Sequence, residues 1–295
     1  MLVGVIGAGK WGSALEYAFS LNNTTYITSR TKRDNINFTS LEDILELEHL
    51  VITIPAQEIS TWLKEHFVFK NQKILVAAKG IESTTGKFLN DIYKEYVPEE
   101  NLAFLSGPSF ATEVMQELPT ALVINSKNLS LAHEFASLFP DFIKTYVSDD
   151  VIGAEVAGAY KNVIAIAAGV AKGLELGNNA QASLIARGLV EMERFGKRYG
   201  AKEESFIGLS GAGDLFLTAS SQMSRNFRVG LGLAQGKTKD QIIKELGEVA
   251  EGVGTAYALY EIATSEDIYL PIAKEVYAML EGKAPQESLK TLLAK

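Results

Sequence analysis

The sequence predicts an α/β domain over residues 1–149 followed by an all-α domain over residues 150–295. In the first range, short apolar runs alternate with segments of helical periodicity, a pattern typical of a mainly parallel sheet covered by helices. After about Asp150 the strand signals cease and long helical patterns take over. A chain of 295 residues is long enough for two domains.

Composition narrows the class of protein. A hydrophobic fraction of 47% with 22% charged residues is ordinary for a soluble globular protein, and the net charge of −8 argues against a nucleic-acid partner. The absence of cysteine excludes disulfides and thiolate ligands. The histidines are His49, His66 and His133, and they show no ligand spacing, so we predict no metal site.

We expect a cytoplasmic protein without membrane insertion. The chain opens with an apolar strand and lacks the basic segment and apolar core of a signal peptide. Its most apolar run, around residues 157–171, is interrupted by Lys161 and is too short to span a bilayer.

A glycine-rich turn follows the first predicted strand, at residues 2–6, and precedes a predicted helix at residues 13–21. The turn is Gly7-Ala8-Gly9-Lys10-Trp11-Gly12. Strand, glycine turn and helix in this order are typical of a Rossmann-type dinucleotide site, in which the helix N-terminus binds a diphosphate. The alternative is a tight turn without a ligand.

The second predicted strand, at residues 24–28, ends in Ser29-Arg30-Thr31-Lys32-Arg33. NAD-specific sites usually have an acidic residue here for the ribose hydroxyls, whereas a basic residue accommodates a 2′-phosphate. Arg30 therefore predicts that NADP(H) is bound at least as well as NAD(H). The alternative is a solvated basic loop.

The remaining elements of the first domain alternate in the same way. Further strands are predicted at 49–54, 73–77, 102–105, 120–124 and 143–146. Helical segments are predicted at 41–45, 59–67, 87–96, 110–117 and 129–139. Ligands bind at the carboxyl ends of such strands, where Lys79 follows one strand and Ser106-Gly107-Pro108-Ser109-Phe110-Ala111 ends another. Taken singly, either segment could be only a turn.

The second domain begins with a helix, predicted at 150–176, that places Lys161 among small and apolar residues. Burial lowers the basicity of a lysine and suits it to proton transfer near neutral pH. The alternative is a lysine whose stem lies on apolar surface and whose ammonium reaches water. Further helices are predicted at 179–199, 214–219, 226–235, 239–246, 252–265, 271–280 and 285–294.

Three loops of this domain carry polar groups. In Ser210-Gly211-Ala212-Gly213-Asp214 the carboxylate could pair with a buried ammonium or cap a helix. Ser224-Arg225-Asn226 offers a hydroxyl, a guanidinium and an amide at a helix start, which suits a phosphate monoester. The segment 248–252 supplies further carboxylates or only a charged capping loop.

The ordered set of motifs resembles the bacterial NAD(P)-dependent glycerol-3-phosphate dehydrogenase family. Besides the glycine turn, the matching segments are Ala78-Lys79-Gly80-Ile81-Glu82, residues 106–111, Lys161-Asn162-Val163-Ile164-Ala165, residues 210–214, residues 224–226 and Glu251-Gly252. The resemblance covers nearly the whole chain. It departs at Lys10, where a small residue is usual.

The resemblance implies the site residues. Lys161 is the implied catalytic proton donor and acceptor. The implied substrate-binding residues are Lys79, Gly107, Ser109, Lys161, Asp214, Ser224, Arg225 and Asn226. The implied cofactor-binding residues are Gly7, Gly9, Lys10, Trp11, Gly12, Arg30, Lys79, Ala111, Arg225, Val249 and Glu251.

The resemblance also implies the reaction. It is the reversible reduction of dihydroxyacetone phosphate to sn-glycerol 3-phosphate by NADPH or NADH, in a homodimer that supplies phospholipid synthesis. One rival is a related dehydrogenase acting on a β-hydroxy acid or another phosphorylated sugar. A rival of a different class is a dinucleotide sensor without catalysis.

Overall fold

The computed structural model describes residues 1–293 and contains one seven-stranded sheet. Its strands are β1 (Leu2–Ile6), β2 (Thr24–Thr28), β3 (His49–Ile52), β4 (Lys73–Val76), β5 (Leu102–Ser106), β6 (Thr120–Asn125) and β7 (Ile143–Ser148). They lie in the order β2-β1-β3-β4-β5-β6-β7, and all neighbours are parallel except β5 and β6. The predicted mainly parallel sheet is confirmed.

Helices cover both faces of this sheet. They are α1 (Lys10–Ser20), α2 (Leu41–Leu45), α3 (Ile59–His66), α4 (Leu89–Lys94), α5 (Ala111–Val114) and α6 (Leu129–Ala136), with a 3-10 turn at Glu99–Asn101. One apolar core joins α1, α5 and α6 to one face, and another joins α2, α3 and α4 to the other. Alternate residues of each strand supply the two cores, as shown by Leu50 and Val51.

The strand order reverses beside β1, because β2 lies on one side of it and β3 on the other. This reversal opens a crevice at the carboxyl ends of the strands, where open α/β sheets bind ligands. The Thr53 hydroxyl fixes the crevice by donating to Gly7 O at 2.9 Å, which ties the segment after β3 to the turn after β1.

The second half of the described chain is helical. Its helices are α7 (Val151–Gly173), α8 (Gly177–Arg198), α9 (Glu203–Ile207), α10 (Asp214–Ser220), α11 (Arg225–Ala234), α12 (Lys239–Leu246), α13 (Glu251–Ser265), α14 (Pro271–Leu280) and α15 (Pro285–Leu293). The last strand ends at Ser148 and α7 begins at Val151, on either side of the predicted domain boundary. The division into domains 1–149 and 150–295 stays a prediction.

Helix α7 lies at the centre of the helical core. It is the one helix among residues 1–293 that is long and apolar enough to cross a membrane, and 94% of its most apolar stretch is buried inside the protein. Burial in the core therefore accounts for the length and apolar character of α7. Its N-terminus is fixed by Asp150, which accepts hydrogen bonds from Gly153 N–H at 3.0 Å and from the Ser205 hydroxyl at 2.6 Å.

Two glycines let α7 and α11 pack backbone against backbone. A Cβ at Gly169 would lie 2.1 Å from Phe227 O, and a Cβ at Gly230 would lie 2.0 Å from Ile166 O. No side chain fits at either position, since real Cβ contacts are never so short. The two helices are consequently held in one fixed arrangement.

The structure corrects several element bounds. Helix α1 begins at Lys10, inside the glycine motif, rather than at residue 13, because Gly9 already has the extended backbone of an N-cap. Helices α4 and α5 are shorter than predicted at both ends: Phe88 and Phe110 are extended N-cap residues, and α5 ends before Glu117, whose φ of +56° is not helical. Helix α9 and a π-helical turn at Leu209–Gly213 were not predicted. The predicted end of the last helix at Ala294 lies outside the described residues.

Candidate active site

Three charged side chains, of which Lys161 and Asp214 are buried and Lys79 is half-buried, form the centre of the candidate site. The Lys161 ammonium donates to Asp214 Oδ1 at 2.6 Å, and the Lys79 ammonium donates to Asp214 Oδ2 at 2.7 Å. Lys161 is 8% exposed and Asp214 is 1% exposed. Because a buried charge is costly without a partner, the single carboxylate is what allows two ammonium groups to lie side by side.

Burial changes the basicity of this cluster. Desolvation lowers the pKa of Lys161 to about 8, although the neighbouring Asp214 carboxylate opposes the shift. Burial alone would raise the pKa of Asp214, but the charges of Lys161 and Lys79 outweigh it and hold that pKa below its ordinary value. The carboxylate therefore stays ionised while Lys161 exchanges protons near neutral pH.

The π-helical turn at Leu209–Gly213 positions Asp214 at the first residue of α10. Within the turn, Ser210 Oγ lies 2.7 Å from Ser106 Oγ at the end of β5. The Asn125 amide donates to Ser106 Oγ at 2.8 Å, so the network reaches β6 as well. Such a buried network links the carboxylate to the sheet, and π-helical turns are frequent at functional sites.

Lys79 enters the cluster from the loop after β4. Its ammonium also donates to Gly107 O at 3.1 Å, and Gly107 has a φ of +106°, which favours glycine. The Ser109 hydroxyl donates to the same carbonyl oxygen at 3.3 Å. Gly158 on α7 allows the lysine stem to pass, because a Cβ there would lie 3.2 Å from Lys79 Cγ.

The start of α11 holds the three residues of the predicted phosphate site. The Ser224 hydroxyl caps the helix by accepting from Phe227 N–H at 3.2 Å. Asn226 Oδ1 accepts from Gly252 N–H at 3.0 Å, which joins α11 to the start of α13. Arg225 is exposed, so its guanidinium can reach a ligand.

The glycine turn fits a dinucleotide. A Cβ at Gly12 would lie 1.7 Å from Gly7 O, and a Cβ at Gly7 would lie 2.3 Å from Thr53 Oγ1, so these two positions require glycine. Gly9 has nothing within 4 Å of its Cβ position, which leaves open space at the N-terminus of α1. The first backbone N–H groups of α1 are therefore available to a diphosphate.

Trp11 and Glu251 bring the glycine turn and the helical half close to the Lys79 loop. The Trp11 indole donates to Ala77 O at 3.1 Å. Glu251 Oε2 is buried against Gly80, and a Cβ at Gly80 would lie 2.6 Å from this oxygen. Burial raises the pKa of Glu251 to about 7, although the backbone of Ala56 opposes this shift, and Glu251 Oε2 has no hydrogen-bond partner among the described residues.

Other predicted cofactor residues lie at the rim of the crevice. Lys10 donates to Glu248 Oε1 at 2.6 Å, and Arg225 Nη1 lies 3.9 Å from Glu248 Oε2. The Arg30 side chain is 90% exposed after β2 and lies 3.6 Å from Glu58, apart from the lysine cluster. Val249 is exposed beside Glu248, and Ala111 begins α5.

Sequence reasoning missed three residues at or near the site. Thr218 accepts from Lys161 at 3.1 Å, and its spacing of four from Asp214 on one helix face was the available signal. The sequence alone indicates Glu248 only as one of the carboxylates of the segment 248–252. Glu155 on α7 accepts from Asn90 N–H at 2.7 Å and lines a small void beside Lys79, and burial raises its pKa to about 8.

One cluster of carboxylates and a histidine lies at the amino end of β3, whereas the candidate site lies at the carboxyl ends of the strands. Glu48, His49 and Glu134 offer ligand atoms within 4.8 Å of one another. Lys73 pairs with both glutamates, at 2.8 and 2.6 Å. An ammonium therefore already provides the positive charge that these carboxylates would otherwise find in a cation.

Comparisons with known proteins agree over nearly the whole chain. Residues 20–132 match the family described as NAD-dependent glycerol-3-phosphate dehydrogenase N-terminus, and residues 150–290 match its C-terminus. A glycerol-3-phosphate dehydrogenase [NAD(P)+] from Sulfurimonas denitrificans is 72% identical over 292 residues, covering 99% of each chain. One from Campylobacter jejuni is 58% identical over 293 residues, again covering 99% of each chain.

The fold agrees as well. The crystal structure of glycerol-3-phosphate dehydrogenase from Coxiella burnetii superposes with a TM-score of 0.91 at 30% identity, covering 100% of this chain and 99% of that one. With a matching profile over each half and full-length relatives, this chain belongs to the NAD-dependent glycerol-3-phosphate dehydrogenase family.

Proposed function

We propose that this protein reversibly reduces dihydroxyacetone phosphate to sn-glycerol 3-phosphate with NADPH or NADH. The observation that carries the proposal is the Lys161–Asp214–Lys79 cluster, in a crevice that also holds a glycine turn and the start of α11. A proton donor, a dinucleotide turn and a phosphate-binding helix start are the parts that this reaction needs.

Lys161 is the proposed proton donor in reduction and acceptor in oxidation. When bound, the reduced nicotinamide supplies a hydride from C4 to the substrate carbonyl carbon. Lys161 gives a proton to the carbonyl oxygen, so no alkoxide charge accumulates in the buried site. A pKa of about 8 suits this exchange in both directions near neutral pH.

Asp214 and Thr218 orient the Lys161 ammonium, because both accept hydrogen bonds from it. Lys79 is held by Gly107 O and Asp214, and in this arrangement it adds a second positive charge beside the oxygen that gains electron density. The single carboxylate limits the repulsion between the two lysines. Both lysines can then face one substrate oxygen.

Arg225 and the N-terminus of α11 are the proposed grip on the substrate phosphate. A guanidinium can bind two phosphate oxygens at once, and the helix dipole favours an anion at this end. Ser224 and Asn226 already hold the helix start through Phe227 N–H and Gly252 N–H. Binding energy from the phosphate would thereby position the carbonyl group against Lys161.

The loop after β2 supports use of NADP(H) at least as well as NAD(H). Arg30, Lys32 and Arg33 are all exposed there, and the acidic residue typical of an NAD-specific site is replaced by Arg30. Glu58 lies 3.6 Å from Arg30, so a 2′-phosphate would compete with this exposed carboxylate for the guanidinium.

Initial rates with dihydroxyacetone phosphate and each reduced nicotinamide test the proposed function. We expect oxidation of NADPH and NADH at 340 nm, with NADPH at least as effective, and no comparable rate with unphosphorylated dihydroxyacetone. Equal rates with the unphosphorylated ketone would refute the phosphate grip. Binding of NADPH without turnover of any carbonyl compound would favour a sensor instead.

We further infer a cytoplasmic homodimer that supplies glycerol phosphate for phospholipid synthesis. The substrate class supports the cytoplasmic placement, as does the burial of α7, the one helix of residues 1–293 that is long and apolar enough to cross a membrane. Sedimentation of the purified protein measures the oligomeric state directly.

A further inference from the structure

An ion pair spans the mouth of the crevice. Lys10 is the first residue of α1, in the glycine turn, whereas Glu248 lies in the loop between α12 and α13. Their side chains are 2.6 Å apart although 238 positions separate them in sequence. The bridge therefore joins the dinucleotide turn to the helical half of the protein.

The surroundings of Glu248 are strongly positive. The hydrogen bond from Lys10 holds the pKa of Glu248 below its usual range, and the charges of Arg225 and Arg228 act in the same direction. Glu248 is thus ionised at neutral pH. Three cationic side chains near one carboxylate leave an excess of positive charge beside the turn that receives a diphosphate, so the carboxylate does not cancel the field there.

The ion pair between Lys10 and Glu248 can persist when a diphosphate is bound at the glycine turn. The diphosphate would be bound by backbone N–H groups of α1 in the open space around Gly9, rather than by the Lys10 ammonium alone. An ammonium has three donors, so Lys10 can hold Glu248 and still reach a phosphate oxygen. The loop that carries Glu248 begins at Gly247, which has a φ of +63° and ends α12.

We propose that Lys10 and Glu248 form a latch that closes over the diphosphate of the bound dinucleotide and slows its release. Lys10 contributes to the turn itself, and Glu248 acts through Lys10 as a positioning residue. The inference rests on dinucleotide binding at the glycine turn and does not depend on the identity of the reduced substrate.

The test measures NADPH release from the full-length protein. Trp11 adjoins Lys10, so energy transfer from tryptophan to bound NADPH reports binding, and displacement by excess NADP⁺ in a stopped-flow instrument gives the dissociation rate. The variants are Glu248→Gln, Lys10→Gln, the double variant and Lys10→Arg. Glu245→Gln is the matched control, because Glu245 pairs with Lys237 at 2.6 Å on the exposed surface of α12 and its loop.

We expect Glu248→Gln to release NADPH about three- to fivefold faster, which is the scale of an exposed ion pair. The double variant should release NADPH no faster than the faster single variant, because both changes break the same contact. Lys10→Arg should keep slow release, and Glu245→Gln should match the wild type. High salt should accelerate release from the wild type more than from Glu248→Gln.

Unchanged release in Glu248→Gln would overturn the latch. Slower release would also overturn it, since Glu248 would then compete with the diphosphate for Lys10. Additive effects of the two single changes would show that Lys10 and Glu248 act separately. A wild type that binds no NADPH would instead refute the dinucleotide site itself, so the two failures are distinguishable.

Discussion

The glycine turn and the Lys161 cluster lie at two sides of one crevice and have opposite physical properties. The turn at residues 7–12 provides open space and free backbone N–H groups, with no charged side chain except Lys10. In the cluster, Lys161 and Asp214 are buried, and both ammonium groups have Asp214 as their carboxylate partner. Binding of a large cofactor depends on backbone shape, whereas proton transfer depends on charge held away from water.

The difference also separates the effects of mutation. A change in the turn should act on dinucleotide affinity, and a change in the cluster should act on the chemical step. The two halves of the crevice can therefore be perturbed one at a time, provided that each variant is matched with a control of the same residue type.

The largest expected effect comes from removing the buried amine. Lys161→Ala should lower kcat by about 10²- to 10⁴-fold, because the carbonyl oxygen loses its proton donor. NADPH affinity, measured by fluorescence titration, should remain near that of the wild type. Lys172→Ala is the control, since Lys172 is an exposed lysine on the same helix. Turnover within a few-fold of wild type would remove Lys161 from the mechanism.

The second effect concerns Arg225, the proposed phosphate-binding residue. Arg225→Ala should raise KM for dihydroxyacetone phosphate about 10- to 100-fold, as expected for the loss of charge-assisted hydrogen bonds. Steady-state kinetics at saturating NADPH measure it. Arg198→Ala is the control, because Arg198 pairs with Glu266 on the surface. If KM is unchanged, the phosphate is bound elsewhere.

The pH profile distinguishes the cluster from the turn. Since the pKa of Lys161 is lowered to about 8, its protonated form is lost above that pH rather than near 10.5. The rate of reduction should fall about tenfold per pH unit above pH 8 and the rate of oxidation should rise through the same pH. Asp214→Asn should move both profiles to lower pH, because the carboxylate stabilises the ammonium. A reduction rate that stays flat to pH 10 would contradict this assignment.

The smallest expected effects come from substitutions of two glycines in the turn, Gly9 and Gly12. Gly9→Ala should leave the thermal midpoint unchanged but weaken NADPH binding by about tenfold, or roughly 1.4 kcal/mol, because the new methyl group occupies space meant for the diphosphate. Gly12→Ala should lower the midpoint itself, since its Cβ would meet Gly7 O at 1.7 Å. Thermal unfolding and fluorescence titration measure the two quantities. Equal destabilisation by both variants would contradict the open space at Gly9.

Much of this fold could be predicted from local sequence patterns. The alternation of apolar runs and helical periodicity predicted the sheet and most helices, because burial imposes a period on each element. The small residues around Lys161 predicted its burial for the same reason. Helix bounds were less accurate, since the extended N-cap residues Gly9, Phe88 and Phe110 have no distinct sequence signal.

Contacts between segments that are far apart in the chain could not be predicted from the sequence. Lys79 and Asp214 meet across 135 positions, and Ser106 meets Ser210 across 104, and no local pattern encodes either distance. The bridge from Lys10 to Glu248 is of the same kind. A close relationship to known sequences can indicate which residues matter, but the ion pairs that set their pKa values depend on how the halves of the chain pack.

The paired glycines of α7 and α11 have a consequence for how ligands enter. Helix α7 carries Lys161, and α11 begins at Arg225. Because their backbones are in direct contact at Gly169 and Gly230, neither helix can slide along the other. Lys161, the proposed proton donor, and Arg225, the proposed phosphate-binding residue, therefore lie on helices whose relative position is fixed. Entry of the ketone therefore cannot depend on a sliding movement of α7 along α11.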